Sequence, residues 1–213
     1  MKLGIYNSCM GESTSLSRLK YASVAISGRP GAGRSTLLKN LRPCLEPFGW
    51  EFFSGGDWSR KFSIEQGKHN SNDPKHHLAT DYGDDVDYQI DQALREKISH
   101  PEAHMAVESW IAGWNARGLA HVLKVLLMCD DALRIDRIVN RDDATVEDAK
   151  GHLRTREEAN IGKWKRLYGV DDFWDPKYYD LVINTYSHGP SQTLELVLQA
   201  LGYYKLNGQP KSV

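Results

Sequence analysis

Residues 23–36 read SVAISGRPGAGRST. A short apolar run, Ser23-Val24-Ala25-Ile26-Ser27, leads into a glycine-rich turn, and Ser35-Thr36 open the amphipathic segment Leu37-Leu38-Lys39-Asn40-Leu41. In a strand–turn–helix of this kind the turn's backbone N–H groups and the positive end of the helix face one small volume. A phosphate fits there. The general pattern is G-x-x-x-x-G-K-[ST], and Gly28, Gly33 and Ser35 satisfy it. The lysine position holds Arg34. The stretch Gly28–Thr36 is therefore read as a phosphate-binding turn.

Outward from this turn, apolar runs alternate with helical patterns. Ser23–Ser27, Trp50–Ser54, His104–Ser109, Val122–Met128 and Asp180–Asn184 read as strands of a mostly parallel sheet buried on both faces. Helices are expected over Gly33–Leu45, Gly56–Gln66, Asp84–Ser99, Ala132–Asn140, Thr145–Tyr168 and Pro190–Leu201. Ser54 and Ser191 are candidate caps for the helices that follow them. The alternation predicts an α/β doubly wound fold with its ligands at the carboxyl ends of the strands. Two segments interrupt it. Residues 55–100 hold two helices and a polar connection, Gly67–Gly83, and residues 141–165 carry Arg141, Arg154, Arg156, Lys163 and Lys165. Such insertions can close over a substrate; by charge alone the second also reads as a solvated helix.

The chain has 213 residues, with 27 basic and 28 acidic side chains and a net charge of −1. That is long enough for one sizeable core, and no single-sign field draws the molecule to nucleic acid or to an anionic membrane. Its apolar stretches are too short to span a bilayer, and the N-terminal segment lacks a signal peptide's apolar core. Cys9, Cys44 and Cys129 lack metal-ligand spacing and read as free thiols of a cytoplasmic protein. Residues 1–20 are expected to be a flexible extension, 21–205 one domain, and 206–213 a tail. His100 and His104 have Pro101 between them and no H-E-x-x-H pattern, so no metal site is expected there. The acidic run Asp81, Asp84, Asp85, Asp87 and Asp91 reads as a helix start favoured by negative charge.

Several stretches together resemble the nucleoside monophosphate kinases, and most closely the short archaeal-type cytidylate kinases. They are GRPGAGRSTL (28–37), SGGDWSR (54–60), VESWIAGW (107–114), RIDRIVNRD (134–142), RTREEA (154–159), YGVDD (168–172) and DLVINT (180–185). The resemblance implies a P-loop NTPase fold: a mostly parallel five-stranded sheet flanked by helices, with an acceptor-binding lobe near 55–100 and a lid near 141–165. It implies ATP-dependent phosphorylation of CMP or dCMP with Mg²⁺, by a monomer whose partners are small-molecule nucleotides. Carried over by position, Gly28, Gly31, Ala32, Gly33, Arg34, Ser35 and Thr36 would bind ATP, with the Ser35 hydroxyl on the metal. Gly55, Asp57, Arg60 and Trp110 would form the acceptor site. Arg34, Arg154 and Arg156 would act on the transferring phosphoryl group, supported by Arg137, Arg141 and Lys163.

These residue types suit the chemistry, because phosphoryl transfer needs positioning and positive charge more than covalent help. Glu108 ends the third strand and reads either as a carboxylate ordering water around the metal or as the partner of an arginine. Two positions depart from the family: Arg34 stands where it has lysine, and Trp110 where it places an acceptor-phosphate arginine. Arginine is planar and bulkier than lysine, so the exchange is not neutral. Tryptophan has no charge and either stacks on a base or fills an apolar gap. The alternatives left open are a nucleotide-binding protein of this fold with weak or lost catalysis, and a kinase of another small acceptor.

Overall fold

A computed structural model describes residues 19–65 and 84–203. Its elements, in chain order, are β1 (Ser23–Gly28), α1 (Arg34–Leu45), β2 (Glu51–Ser54), α2 (Gly55–Glu65), α3 (Asp84–Ser99), β3 (Met105–Glu108), α4 (Ala112–Asn115), β4 (Val122–Met128), α5 (Asp131–Asp142), α6 (Val146–Tyr168), β5 (Leu181–Asn184) and α7 (Pro190–Leu201). The five strands form one parallel sheet in the order β2-β3-β1-β4-β5. This is the α/β fold expected from the sequence. Short α4 was not anticipated, because four residues carry no helical period. The expected tails and the 67–83 connection fall outside the described residues, apart from Leu19 and Lys20. Lys20 donates its N–H to Leu201 O at 2.9 Å.

Side-chain alternation in β1 explains why both sheet faces are covered. Val24 and Ile26 point to one side, where they meet Leu37 and Leu41 of α1 and Val197 and Leu201 of α7. Ala25 points to the other, into a core with Leu94 and Ile98 of α3 and Ala112 of α4. Every residue of β1 is buried, as a central parallel strand requires. A third cluster is aromatic: Trp114, Trp164 and Phe173 pack with Ile111 beneath the second half of α6. Ring pairs at 4.9 Å (Trp114–Phe173) and 5.7 Å (Trp164–Phe173), both edge-on, give the favoured quadrupole geometry.

α5 and α6 form a hairpin. Asp130 caps α5 by accepting from Ala132 N at 2.8 Å. Thr145 caps α6 by accepting from Asp148 N at 3.1 Å. Ile138, Ala149 and Leu153 join the two helices through a small apolar seam. Segment 141–165 is thus more than a solvated charged helix. Of the two expected serine caps, Ser54 accepts from Asp57 N at 3.2 Å. Ser191 does not cap: α7 begins at Pro190 behind Gly189, whose N–H donates to the Gln192 side chain at 3.1 Å. Cys129 is a free thiol, but Cys44 is disulfide-bonded, which corrects the reading of three free thiols.

Strand register sets the site. Ile26 of β1 and Ser54 of β2 both lie level with Glu108 of β3, so β2 and β3 end together and β1 runs two residues further, to Gly28. The chain leaves β1 there as the glycine-rich turn. Gly31 has φ +79°, and a Cβ on it would meet Arg134 O at 2.8 Å and Arg134 Cα at 3.0 Å. The turn therefore rests directly on the backbone of α5. Gly31→Ala is expected to lower the unfolding free energy by about 1–3 kcal/mol, the usual cost of overpacking a tight site, read from urea denaturation. An unchanged midpoint would mean that the turn is loosely seated.

Candidate active site

The carboxyl edge of the sheet opens into a cleft of about 810 Å³. The glycine-rich turn, the start of α2, the segment after β3, α5 and α6 all contribute to its walls. At its floor lies Glu108, only 2 % exposed. Arg34 Nη1 donates to Glu108 Oε2 at 2.8 Å. Ser54 Oγ donates to Oε1 at 2.7 Å, and Ser35 Oγ approaches the same oxygen at 3.5 Å. One carboxylate thus gathers the ends of β2 and β3 and the start of α1. Burial draws the Arg34 guanidinium below its ordinary pKa; Glu108 opposes this, and the cations Arg134 and Arg141 reinforce it. A guanidinium stays charged at neutral pH regardless, so Arg34 presents a cation in a site being dried.

A second set of charges fastens the turn to the α5–α6 hairpin. Arg134 is 2 % exposed. Its Nε donates to Pro30 O at 2.7 Å, its Nη1 to Asp131 at 2.5 Å, and its Nη2 to Glu157 of α6. Glu157 also receives Arg29 Nη1 at 3.3 Å, and the Arg29 guanidinium lies 4.8 Å from the centre of the Trp174 ring. Arg137 joins the turn to the end of β5 by donating to Gly31 O at 3.0 Å and to Thr185 O at 2.9 Å. Arg137 and Arg141 also line the cleft. Arg141 makes a bidentate pair with Asp142 at 2.8 and 2.7 Å, and that hydrogen bonding raises its pKa.

The structure brings together Gly31, Gly33, Arg34, Ser35 and Thr36, with Gly55, Trp110 and Arg156, on the walls of one cleft. Ala32 is buried behind the turn, and Gly28 starts it with its N–H donating to Trp110 O at 3.2 Å. Asp57 is exposed on α2; Gly55, Gly56 and Ser59 are that helix's contribution to the cleft. The Arg60 side chain lies outside the described residues. Lys163 is 2 % exposed.

Arg154 and Arg156 do not share a face. Two residues on an α-helix are about 200° apart, so one of them must turn away. Arg156 lines the cleft, its guanidinium 5.6 Å from the centre of the Trp110 ring. Arg154 has an 81 % exposed side chain and pairs with Glu158 at 2.8 Å. Trp110 packs edge-on against Trp164 at 5.6 Å, and its carbonyl receives Trp174 Nε1 at 2.9 Å. It therefore fills an apolar gap and faces the cleft at once.

Three contributors were not singled out from the sequence as site residues: Ser54, Arg134 and Glu157. The first follows from strand register, which only pairing reveals. Arg134 and Glu157 lie in the quoted RIDRIVNRD and RTREEA stretches, but their meeting depends on the hairpin. Removing the Ser54 hydroxyl deletes a hydrogen bond to a buried charge and the α2 cap together. Ser54→Ala is expected to lower unfolding free energy by about 1.5–3 kcal/mol, measured by urea denaturation. A loss below about 0.5 kcal/mol would mean that Glu108 is held without it.

Comparison with known proteins agrees with this architecture. Residues 57–187 match the model of the cytidylate kinase-like family. The chain is 32 % identical to the cytidylate kinase of Haloarcula marismortui across 87 % of its own length and 92 % of that protein. Among solved structures, a gluconokinase from Sinorhizobium meliloti 1021 superposes with a TM-score of 0.53 at 15 % identity, covering 87 % of this chain and 94 % of that one. Shikimate kinase from Acinetobacter baumannii gives 0.53 at 14 % identity, covering 87 % and 96 %. These two likenesses concern the fold alone.

Proposed function

The chain belongs to the cytidylate kinase-like family, and from that premise we propose that it is a nucleoside monophosphate kinase transferring the γ-phosphoryl group of ATP to CMP or dCMP. The observation that carries this reading is the single cleft into which the phosphate turn, Arg34 and Arg156 all open. In the transfer an acceptor phosphate oxygen bonds to the γ-phosphorus as the bond to the β–γ bridging oxygen breaks, giving CDP and ADP.

The turn's backbone N–H groups hold the donor phosphates. Arg34 and Arg156 approach the transferring group from two sides and meet the charge that spreads over its oxygens. The α5–α6 hairpin serves as the lid, with Glu157 as its tie to the turn. Ser35 and Glu108 are hard oxygen donors, as Mg²⁺ prefers, and Mg²⁺ commonly keeps several waters and arrives with phosphates. No group of three or more His, Cys, Asp or Glu that could cage a metal occurs among the described residues, which suits an ion carried in by ATP. When bound, Mg²⁺ neutralises charge on the donor phosphates. No general base is needed, since the acceptor phosphate is already an anion. Among the described residues no helix is long and apolar enough to cross a membrane, in keeping with a cytoplasmic enzyme of nucleotide metabolism.

A coupled assay of ADP formation tests this reading. ATP consumption is expected to depend on added CMP or dCMP. Arg156→Ala is expected to lower kcat by roughly 10² or more, with a smaller change in KM. Arg154→Ala, which removes an exposed ion pair, is expected to change kcat by less than about tenfold. ATP binding without any CMP-dependent turnover would overturn the kinase reading in favour of a nucleotide-binding protein of the same fold.

A further inference from the structure

Trp110 is half-buried in the cleft wall, two residues beyond Glu108 at the end of β3. Its backbone is pinned. The carbonyl accepts from Gly28 N–H at 3.2 Å and from Trp174 Nε1 at 2.9 Å, and the preceding residue, Ser109, donates its N–H to Ile26 O at 3.2 Å. Its ring is held on two sides as well. Trp164 of α6 meets it edge-on at 5.6 Å, and Trp174 lies 6.5 Å away at an angle of 44°. The indole is thus a fixed, uncharged surface at the cleft.

The Arg156 guanidinium stands 5.6 Å from the centre of this ring. A cation at that distance is attracted by the ring quadrupole, and more strongly where water is thinned out. The other cleft arginines are held in a different way. Arg34 pairs with Glu108 and Arg141 with Asp142, while Arg137 donates to the carbonyls of Gly31 and Thr185. A carboxylate partner offsets part of a cation's charge toward an incoming phosphate. A ring face orders a guanidinium without bringing a negative charge to the site. Arginine has a long, rotamer-rich side chain, and placing it before reaction removes an ordering cost from the chemical step.

We propose that Trp110 is a positioning residue for the phosphoryl transfer: its indole holds Arg156 of α6 at the cleft, where the transferring group passes. The proposal rests on the kinase reading above and adds to it how Arg156 is placed. It differs from both roles that the sequence offers for this tryptophan, since the ring acts through Arg156 and neither stacks on the acceptor base nor only fills a gap.

The test is a kinetic double-mutant cycle on the full chain in the coupled assay of ADP formation. Its corners are the natural protein, Trp110→Leu, Arg156→Ala and the double variant, with Trp110→Phe as the conservative replacement. Urea denaturation establishes which variants are folded under assay conditions. Trp110→Leu is expected to lower kcat about five- to thirtyfold, the range of a cation–π contact in a partly dried site, with KM for CMP changed less than about threefold. Trp110→Phe keeps an aromatic face and is expected to stay within about threefold of the natural kcat. In the Arg156→Ala background, Trp110→Leu is expected to change kcat less than about twofold, because the group it positions is gone. If Trp110→Leu does not fold, Trp110→Met, which fills more of the space without a ring, takes its place with the same expectations. An equal loss of kcat in both backgrounds would overturn the proposal and leave Trp110 as packing. A raised KM for CMP with kcat unchanged would overturn it in favour of base stacking. Either result leaves the kinase reading standing, whereas a natural protein without CMP-dependent turnover would overturn both.

Discussion

A carboxylate that is 2 % exposed cannot remain ionised without partners, and Glu108 shows how this protein supplies them. Its partners come from three places in the chain: Arg34 and Ser35 from the start of α1, and Ser54 from the end of β2. Each is delivered by backbone geometry. Ser54 reaches Glu108 because the two are level in adjacent parallel strands. Arg34 and Ser35 reach it because the glycine-rich turn brings the chain over the end of β3. Strand pairing, turn conformation and the floor of the cleft are thus conditions on one another. The exchange of lysine for arginine at position 34 belongs to the same balance, since a guanidinium can bond Glu108 through one nitrogen and keep other N–H donors directed elsewhere.

The second constraint is the seat of the turn on α5. Gly31 lies against the Arg134 backbone, while the Arg134 side chain bonds both the turn and Glu157 of the hairpin. Movement of α6 is therefore felt at the phosphate turn through the buried Arg134 and through Arg29, both bonded to Glu157. A kinase needs such a connection, because closing a lid over the reacting groups excludes water only if the phosphates are already held. The aromatic cluster under α6 does the complementary work. Arg156, Asn160 and Trp164 share one face of α6 and all line the cleft, where Trp164 packs edge-on against Trp110.

Much of this was legible in the residues. The parallel sheet, its flanking helices and the turn follow from alternating apolar runs and from glycine spacing, because burial on two faces and a positive φ leave local marks. Arg34 and Ser35 could be named from the spacing of the phosphate turn, and Gly55, Trp110 and Arg156 through the family resemblance; all five line one cleft. What could not be read was pairing across the sheet and between helices. Ser54 looked like a cap and is also a ligand of a buried charge. Asp91 looked like one acid of a helix start favoured by negative charge and is buried, bonded to Asn115 of α4 and Tyr168 of α6. Arg154 and Arg156 looked equivalent in sequence, and only the helical period separates them. For Ser54 and Asp91 the deciding partners are distant along the chain.

If the Arg34–Glu108 pair organises the site, the two residues must be coupled energetically, and a double-mutant cycle measures that coupling directly. Unfolding free energies from urea denaturation of the natural protein, Arg34→Ala, Glu108→Ala and the double variant supply the four corners. The account predicts that the double variant is more stable than the sum of the single losses implies, by at least about 1.5 kcal/mol, because each single variant strands a charge that the other corner removes. Additivity within about 0.5 kcal/mol would contradict it, leaving Glu108 and Arg34 as neighbours that do not depend on each other.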